Sequence, residues 1–159
     1  MAWGRRLWDV LYSAASTGIA LLLGVVLGNV LQGMPLDERG EFSGSWLSFL
    51  NPYALLVGVM ALALLMVHGA IYLIMKTEGK LYEKLTRLVR WAMVAFGVLF
   101  LGVTAYTLAG FPHLYARFMA QPSGALLPLL AILAILNVPR LLSKGRYRRA
   151  FLFSSLTVA

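Results

Sequence analysis

The residue whose chemistry stands out is a single imidazole, His68, set in a run from Pro52 to Met75 that holds no formally charged side chain. At about 1.5 Å per helical residue it lies roughly 10 Å inside the Lys76 end of that run. An ionisable group so deep in hydrocarbon is a functional candidate by default. It could ligate a haem iron, relay a proton or hydrogen-bond a quinone. Equally, it could be a neutral imidazole bonded to a neighbouring helix, with Tyr72 one turn along the same face. A haem held within one chain usually draws two strong ligands. The other histidine, His113, lies outside the apolar runs, so the structural hydrogen bond is favoured.

Three more polar residues sit at the ends of an earlier apolar run. Asn29 and Gln32, three apart, share a helical face, where they could bond a lipid headgroup or a partner loop. Satisfying the carbonyls of a helix end is the favoured reading. Asp9 lies at the opposite end, near Arg5 and Arg6. It reads as a proton-entry acid or, preferably, as an ordinary first-turn acid stabilised by the helix dipole. No phosphate-binding glycine loop, His-Glu-x-x-His, Gly-x-Ser-x-Gly or pair of intramembrane carboxylates is present. With no cysteine, a disulfide frame and a thiolate metal site are also excluded. No residue is therefore assigned a catalytic, cofactor-binding or metal-ligating role.

The elements that carry these residues are membrane helices. The 159 residues are 60% apolar with a mean hydropathy of +0.80, whereas about half the residues of a soluble domain are apolar. A span needs about 20 apolar residues. The expected fold is all-α, a polytopic membrane helix bundle with four full transmembrane helices plus the start of a fifth, at about 8–31, 52–75, 88–111, 126–142 and 150–159. Trp3 and Trp8 suit the interface at the start of the first span. Along it Ser16, Ala20, Gly24 and Gly28 recur every fourth residue, a face that lets another helix approach closely. A polar loop from Gln32 to Ser48 contains Asp37, Glu38 and Glu41. Pro52 fits the first turn of the second span, and Gly79 reads as its stop. A charged connector from Lys76 to Arg90 follows, with Glu83 and Arg87 four apart on a helical face. A short outer loop, Pro112 to Ser123, holds His113 and Arg117, and Pro128 and Pro139 lie near the ends of the fourth span.

The formal charge of +8 is a matter of topology. If the spans alternate, Arg5, Arg6, the bases from Lys76 to Arg90 and those from Arg140 to Arg149 share one side, and Arg39 and Arg117 the other. The basic side faces the cytoplasm, which places the amino terminus there, and no nucleic-acid partner is expected. The first apolar run is too long for a secretory leader and lacks a small-x-small cleavage site, so it reads as a retained span. The last apolar run stops after ten residues, about half a bilayer. The expectation is a fragment ending inside its fifth helix.

Several signatures fall at helix ends. Trp8-Asp9 opens a span and Gly28-Asn29-Val30-Leu31-Gln32-Gly33 closes it. Leu50-Asn51-Pro52-Tyr53-Ala54-Leu55-Leu56, His68-Gly69-Ala70, Lys76-Thr77-Glu78-Gly79 and Phe151-Leu152-Phe153-Ser154-Ser155-Leu156-Thr157 follow. In order and spacing they resemble subunit II of the cytochrome bd quinol oxidases, from about Arg5 onward. The resemblance implies part of a bacterial inner-membrane enzyme that oxidises ubiquinol or menaquinol, reduces oxygen to water and contributes to the proton gradient. It implies haems b and d in a partner, the haem-bearing subunit I, and none bound by this chain alone. Subunit II would be a structural and proton- or oxygen-pathway partner of two four-helix repeats plus one helix. This chain would supply the last helix of the first repeat, three of the second and the start of a fourth. The family's Gly-Phe-Asp and Trp-Asp-Gly-Asn signatures and proton-entry acids are absent here, so no such role is carried over. The competing reading is a non-enzymatic membrane transporter or scaffold.

Overall fold

The computed structural model describes residues 2–33, 37, 39–41, 44–112 and 126–158, and among them it is helical with no strand. In chain order the helices are α1 (Ala2–Gln32), α2 (Pro52–Ile74), α3 (Gly79–Gly110), α4 (Leu126–Ser143) and α5 (Tyr147–Val158), with a short 3₁₀ helix, Trp46–Leu50, ahead of α2. Among the described residues three stretches are long and apolar enough to cross a membrane: Gly4–Gln32, Pro52–Ile74 and Gly79–Gly110. The fourth expected span is α4, whose 18 residues reach about 27 Å, just short of a roughly 30 Å hydrocarbon core. The expected outer loop with His113 and Arg117 lies outside the described residues, as do Glu38 and the side chain of Trp3.

Two expectations about boundaries need correcting. The charged stretch from Lys76 to Arg90 is mostly the opening of α3, not a separate connector. Leu85, Val89, Ala92 and Phe96 are buried along it at spacings of four, three and four, so one apolar stripe continues through the charged turns and holds them helical. Gly79 does not stop α2, which ends at Ile74 with Met75 and Lys76 folded back onto Ile71, Tyr72 and Leu73 carbonyls. With φ +66° Gly79 begins α3 instead.

The contacts divide into two compact units, Met1–Leu62 and Ala63–Ala159, with α2 running through the division. In the first, α1 meets the early turns of α2 across glycine. A Cβ built on Gly24 would lie 2.6 Å from the Ala61 Cβ, and one on Gly28 would lie 2.7 Å from the Ala54 Cα. At Gly24 and Gly28 the partner of this small-residue face is thus a helix of the same chain, while Ser16 stays exposed. In the second unit the core is Val67, Ala70, Ile71 and Ile74 of α2 with Leu85 and Val89 of α3, joined by Val138, Leu141 and Ala150 from α4 and α5. Pro139 stands inside α4, where it withholds the N–H that the Ile135 carbonyl would otherwise receive.

Candidate functional site

His68 is bonded within its own unit. Its Nδ1 lies 2.9 Å from Ser154 Oγ on α5, and Ser154 is 1% exposed. Ser154 Oγ also reaches the Phe151 carbonyl at 2.8 Å. A hydroxyl has one hydrogen. With that hydrogen on the Phe151 carbonyl, Nδ1–H donates to Ser154 and Nε2 is the bare acceptor; with it on Nδ1 the two ring nitrogens exchange roles, and the Phe151 carbonyl keeps the Ser155 hydroxyl at 3.0 Å. The ring is stacked on Phe151, with centroids 4.6 Å apart and planes 27° from parallel. Tyr72 leans on the same Phe151 at 6.0 Å rather than on the imidazole. The partner helix is α5, and sequence reasoning did not single out Ser154.

The second polar cluster joins the end of α1 to the start of α2. Asn29 is 8% exposed. Its Nδ2 donates to the Val25 carbonyl of its own helix and to the Phe49 carbonyl, both at 2.8 Å. Its Oδ1 accepts from Asn51 Nδ2 at 3.0 Å. Asn51 then caps α2, its Oδ1 accepting the Ala54 N–H at 2.8 Å. Both amides are oriented by this network, since each nitrogen faces a carbonyl or amide oxygen. Gln32 does not join the cluster; its Oε1 is buried and has no hydrogen-bond partner among the described residues. In the loop beyond, Asp37 Oδ1 accepts the N–H groups of Arg39 and Glu41 at 2.9 and 2.8 Å, so this acid shapes a turn.

Asp9 departs from expectation. α1 begins at Ala2 and has no acid in its first turn, so Asp9 lies beyond reach of the dipole argument. Its side chain is exposed, beside an open groove lined by Val10, Ser13, Ala14, Thr17 and Gly18. At the other end of the second unit, Tyr82 and Tyr147 hydroxyls meet at 2.7 Å with their rings edge-on. The hydrogen bond from Tyr82, helped by burial, raises the Tyr147 pKa above the usual phenol value.

A cavity of about 190 Å³ lies among α2 to α5, bounded by Val67, Met93, Phe96, Ile135, Pro139 and Ser154. It is smaller than the roughly 300–1,000 Å³ of ordinary ligand pockets. Its hydroxyls are already spent, Ser154 as above and Thr157 on the Ser154 carbonyl at 2.7 Å. Among the described residues no three His, Cys, Asp or Glu side chains gather as metal ligands. His68 has one ring face covered by Phe151 and no second histidine near it among those residues. The described residues do not supply the pair of ligands a haem held within one chain would draw.

Long helices carrying apolar runs, with side chains such as Leu22, Leu73 and Leu101 exposed along them, define a multi-pass α-helical membrane protein. The family model for cytochrome bd terminal oxidase subunit II matches residues 1–159, and the chain belongs to that family. It is 31% identical to the cytochrome bd-I ubiquinol oxidase subunit 2 of Escherichia coli strain K12, with 98% of this chain and 49% of that protein covered. It is 30% identical to a probable cytochrome oxidase subunit 2 of Haemophilus influenzae, again over 98% and 49%. A 27% match to the cytochrome bd ubiquinol oxidase subunit 2 of Bacillus subtilis covers 64% of the chain. The chain thus spans about half the length of the first two relatives. Haem is a cofactor of this family's complexes, and a complex implies another subunit.

Proposed function

We propose that the chain serves as part of the non-catalytic subunit II of a quinol-oxidising, oxygen-reducing complex in a bacterial inner membrane, with its amino terminus on the cytoplasmic side. Quinol, ubiquinol or menaquinol, is the substrate of the whole assembly, and haems b and d sit in the partner subunit I. The family match along the full chain carries this reading. Two features support the division of labour. His68 Nδ1 and the Asn29 amide are engaged in internal hydrogen bonds. The outer face of α1 from Asp9 to Gly18 is exposed and lined largely by small side chains, a surface on which another helix can close. Nothing observed favours the transporter alternative. The test is to delete the gene and follow quinol-dependent oxygen uptake and haem d absorbance in membranes. Both should fall and return on complementation with the full-length gene. Unchanged uptake and an unchanged haem d band would refute the proposal.

A further inference from the structure

We propose that the corner between α4 and α5 is a binding site for the phosphodiester headgroup of an anionic phospholipid. The inference rests on the orientation proposed above, which turns this corner toward the cytoplasmic leaflet. From Arg140 to Arg149 the chain has five bases, Arg140, Lys144, Arg146, Arg148 and Arg149, and no acid. Gly145, at φ +66°, ends α4 abruptly. Its N–H bonds the Leu142 carbonyl at 3.1 Å and the Arg146 N–H bonds the Leu141 carbonyl at 2.9 Å, the paired closure that satisfies a helix end in one tight turn.

The turn gathers Arg146, Arg148 and Arg149 around an open concavity of about 500 Å³, completed by Met75, Gly145 and Tyr147. Tyr147 is pinned by its hydroxyl bond to Tyr82, so one wall is fixed in place. No described residue forms an ion pair or side-chain hydrogen bond with the three guanidinium groups. A second basic group on α3, Lys80, Lys84 and Arg87, has Glu83 among it; the α4–α5 corner has no such acid. Planar guanidinium groups match phosphate oxygens in pairs, and basic pockets at the cytoplasmic ends of membrane helices suit lipid headgroups.

A lipid is favoured over a soluble anion by what lies along α5. Arg148, Leu152 and Leu156 follow at intervals of four, and so share one helical face. Leu152 and Leu156 are 63% and 67% exposed. A phosphate on Arg148 would therefore have its acyl chain laid along two uncovered leucines.

The test uses the full-length protein purified in detergent, with phosphatidylglycerol retention read by native mass spectrometry. R146Q/R148Q/R149Q should retain at least tenfold less lipid than wild type, and R148Q alone should retain severalfold less. The control K80Q/K84Q/R87Q, which removes the same charge from α3, should stay within twofold. Phosphatidylcholine should not be retained, and inorganic phosphate at equal concentration should not displace the lipid. Equal loss in both triple variants means general attraction to basic charge and overturns the site. Displacement by inorganic phosphate, or equal retention of phosphatidylcholine, overturns its assignment to an anionic lipid. Retention in detergent does not depend on orientation, so a failure here is distinct from a failure of the proposed topology.

Discussion

At His68 hydrogen bonding decides what a substitution does. Ser154 Oγ is the hydrogen-bond partner of Nδ1, so Ser154→Ala strands a ring nitrogen in an apolar setting. The coupling between the two side chains, measured by a double-mutant cycle with His68→Phe on thermal unfolding of detergent-solubilised protein, should be about 0.5–2 kcal/mol, the range of hydrogen bonds between membrane helices. The double variant should be more stable than Ser154→Ala alone, because no orphan remains. His68→Gln should leave the haem absorbance of the complex unchanged; a lost band would make His68 a ligand. Asn29→Ala, which takes a donor from the Phe49 carbonyl and the acceptor from Asn51, should lower stability by about 1–3 kcal/mol. Asn29→Asp should cost more, since a carboxylate would face the Val25 and Phe49 carbonyls. His68 was conspicuous in the sequence because a polar ring in an uncharged run has few innocent explanations. Its partner was not, because 86 residues separate Ser154 from it and nothing in a serine within an apolar stretch says which helix it faces. The link from Asn29 to Asn51 was closer to legible, as two amides flanking one loop at successive helix ends.

Whole helices were easier to read than side-chain pairs, and the exceptions have physical causes. Hydropathy located α2 and the far end of α1 well because bilayer depth fixes the length of an uncharged run. The start of α1 is at Ala2, ahead of the expected Trp8, and the helix runs through Arg5 and Arg6. Hydropathy cut α3 short because charge marks the membrane boundary, whereas the helix is held by its apolar stripe, and Leu85 and Val89 continue that stripe outside the uncharged run. The four-residue glycine spacing in α1 announced a close approach without naming a partner; the geometry supplies α2. Glycine is needed there for lack of room. Gly24→Ala and Gly28→Ala would push a methyl to 2.6 Å and 2.7 Å from Ala61 and Ala54 atoms, partly backbone, and should each destabilise by about 1–3 kcal/mol through overpacking. Gly18→Ala and Gly102→Ala meet nothing within 4 Å, and should be neutral or slightly stabilising through better helix propensity. Thermal unfolding of the four variants side by side checks the contrast, and equal effects would remove close packing as the reason for Gly24 and Gly28.

For the molecule as a whole the quantity to measure is how many times the chain crosses. Among the described residues three stretches meet the requirement outright, and α4 is the step to test: 18 residues with Pro139 inside and Arg140 near its end. Charge argues that it crosses. Were α4 to remain on the outer side, Arg146, Arg148 and Arg149 would join Arg39 and Arg117 there, and the excess of bases on the cytoplasmic side would shrink sharply. The chain has no cysteine, which makes the question direct to test. Single cysteines at Gly40, Lys80 and Arg148, in the full-length protein with any other cysteines replaced, can be challenged with a membrane-impermeant maleimide on intact cells. Gly40→Cys should react from outside. Lys80→Cys and Arg148→Cys should react only after the inner membrane is opened. If Arg148→Cys alone reacts from outside, α4 does not cross; if all three report the reverse sides, the orientation itself is inverted. The Gly40 and Lys80 sites bracket α2, so they establish that the assay is reading one crossing correctly before the Arg148 result is used to judge α4.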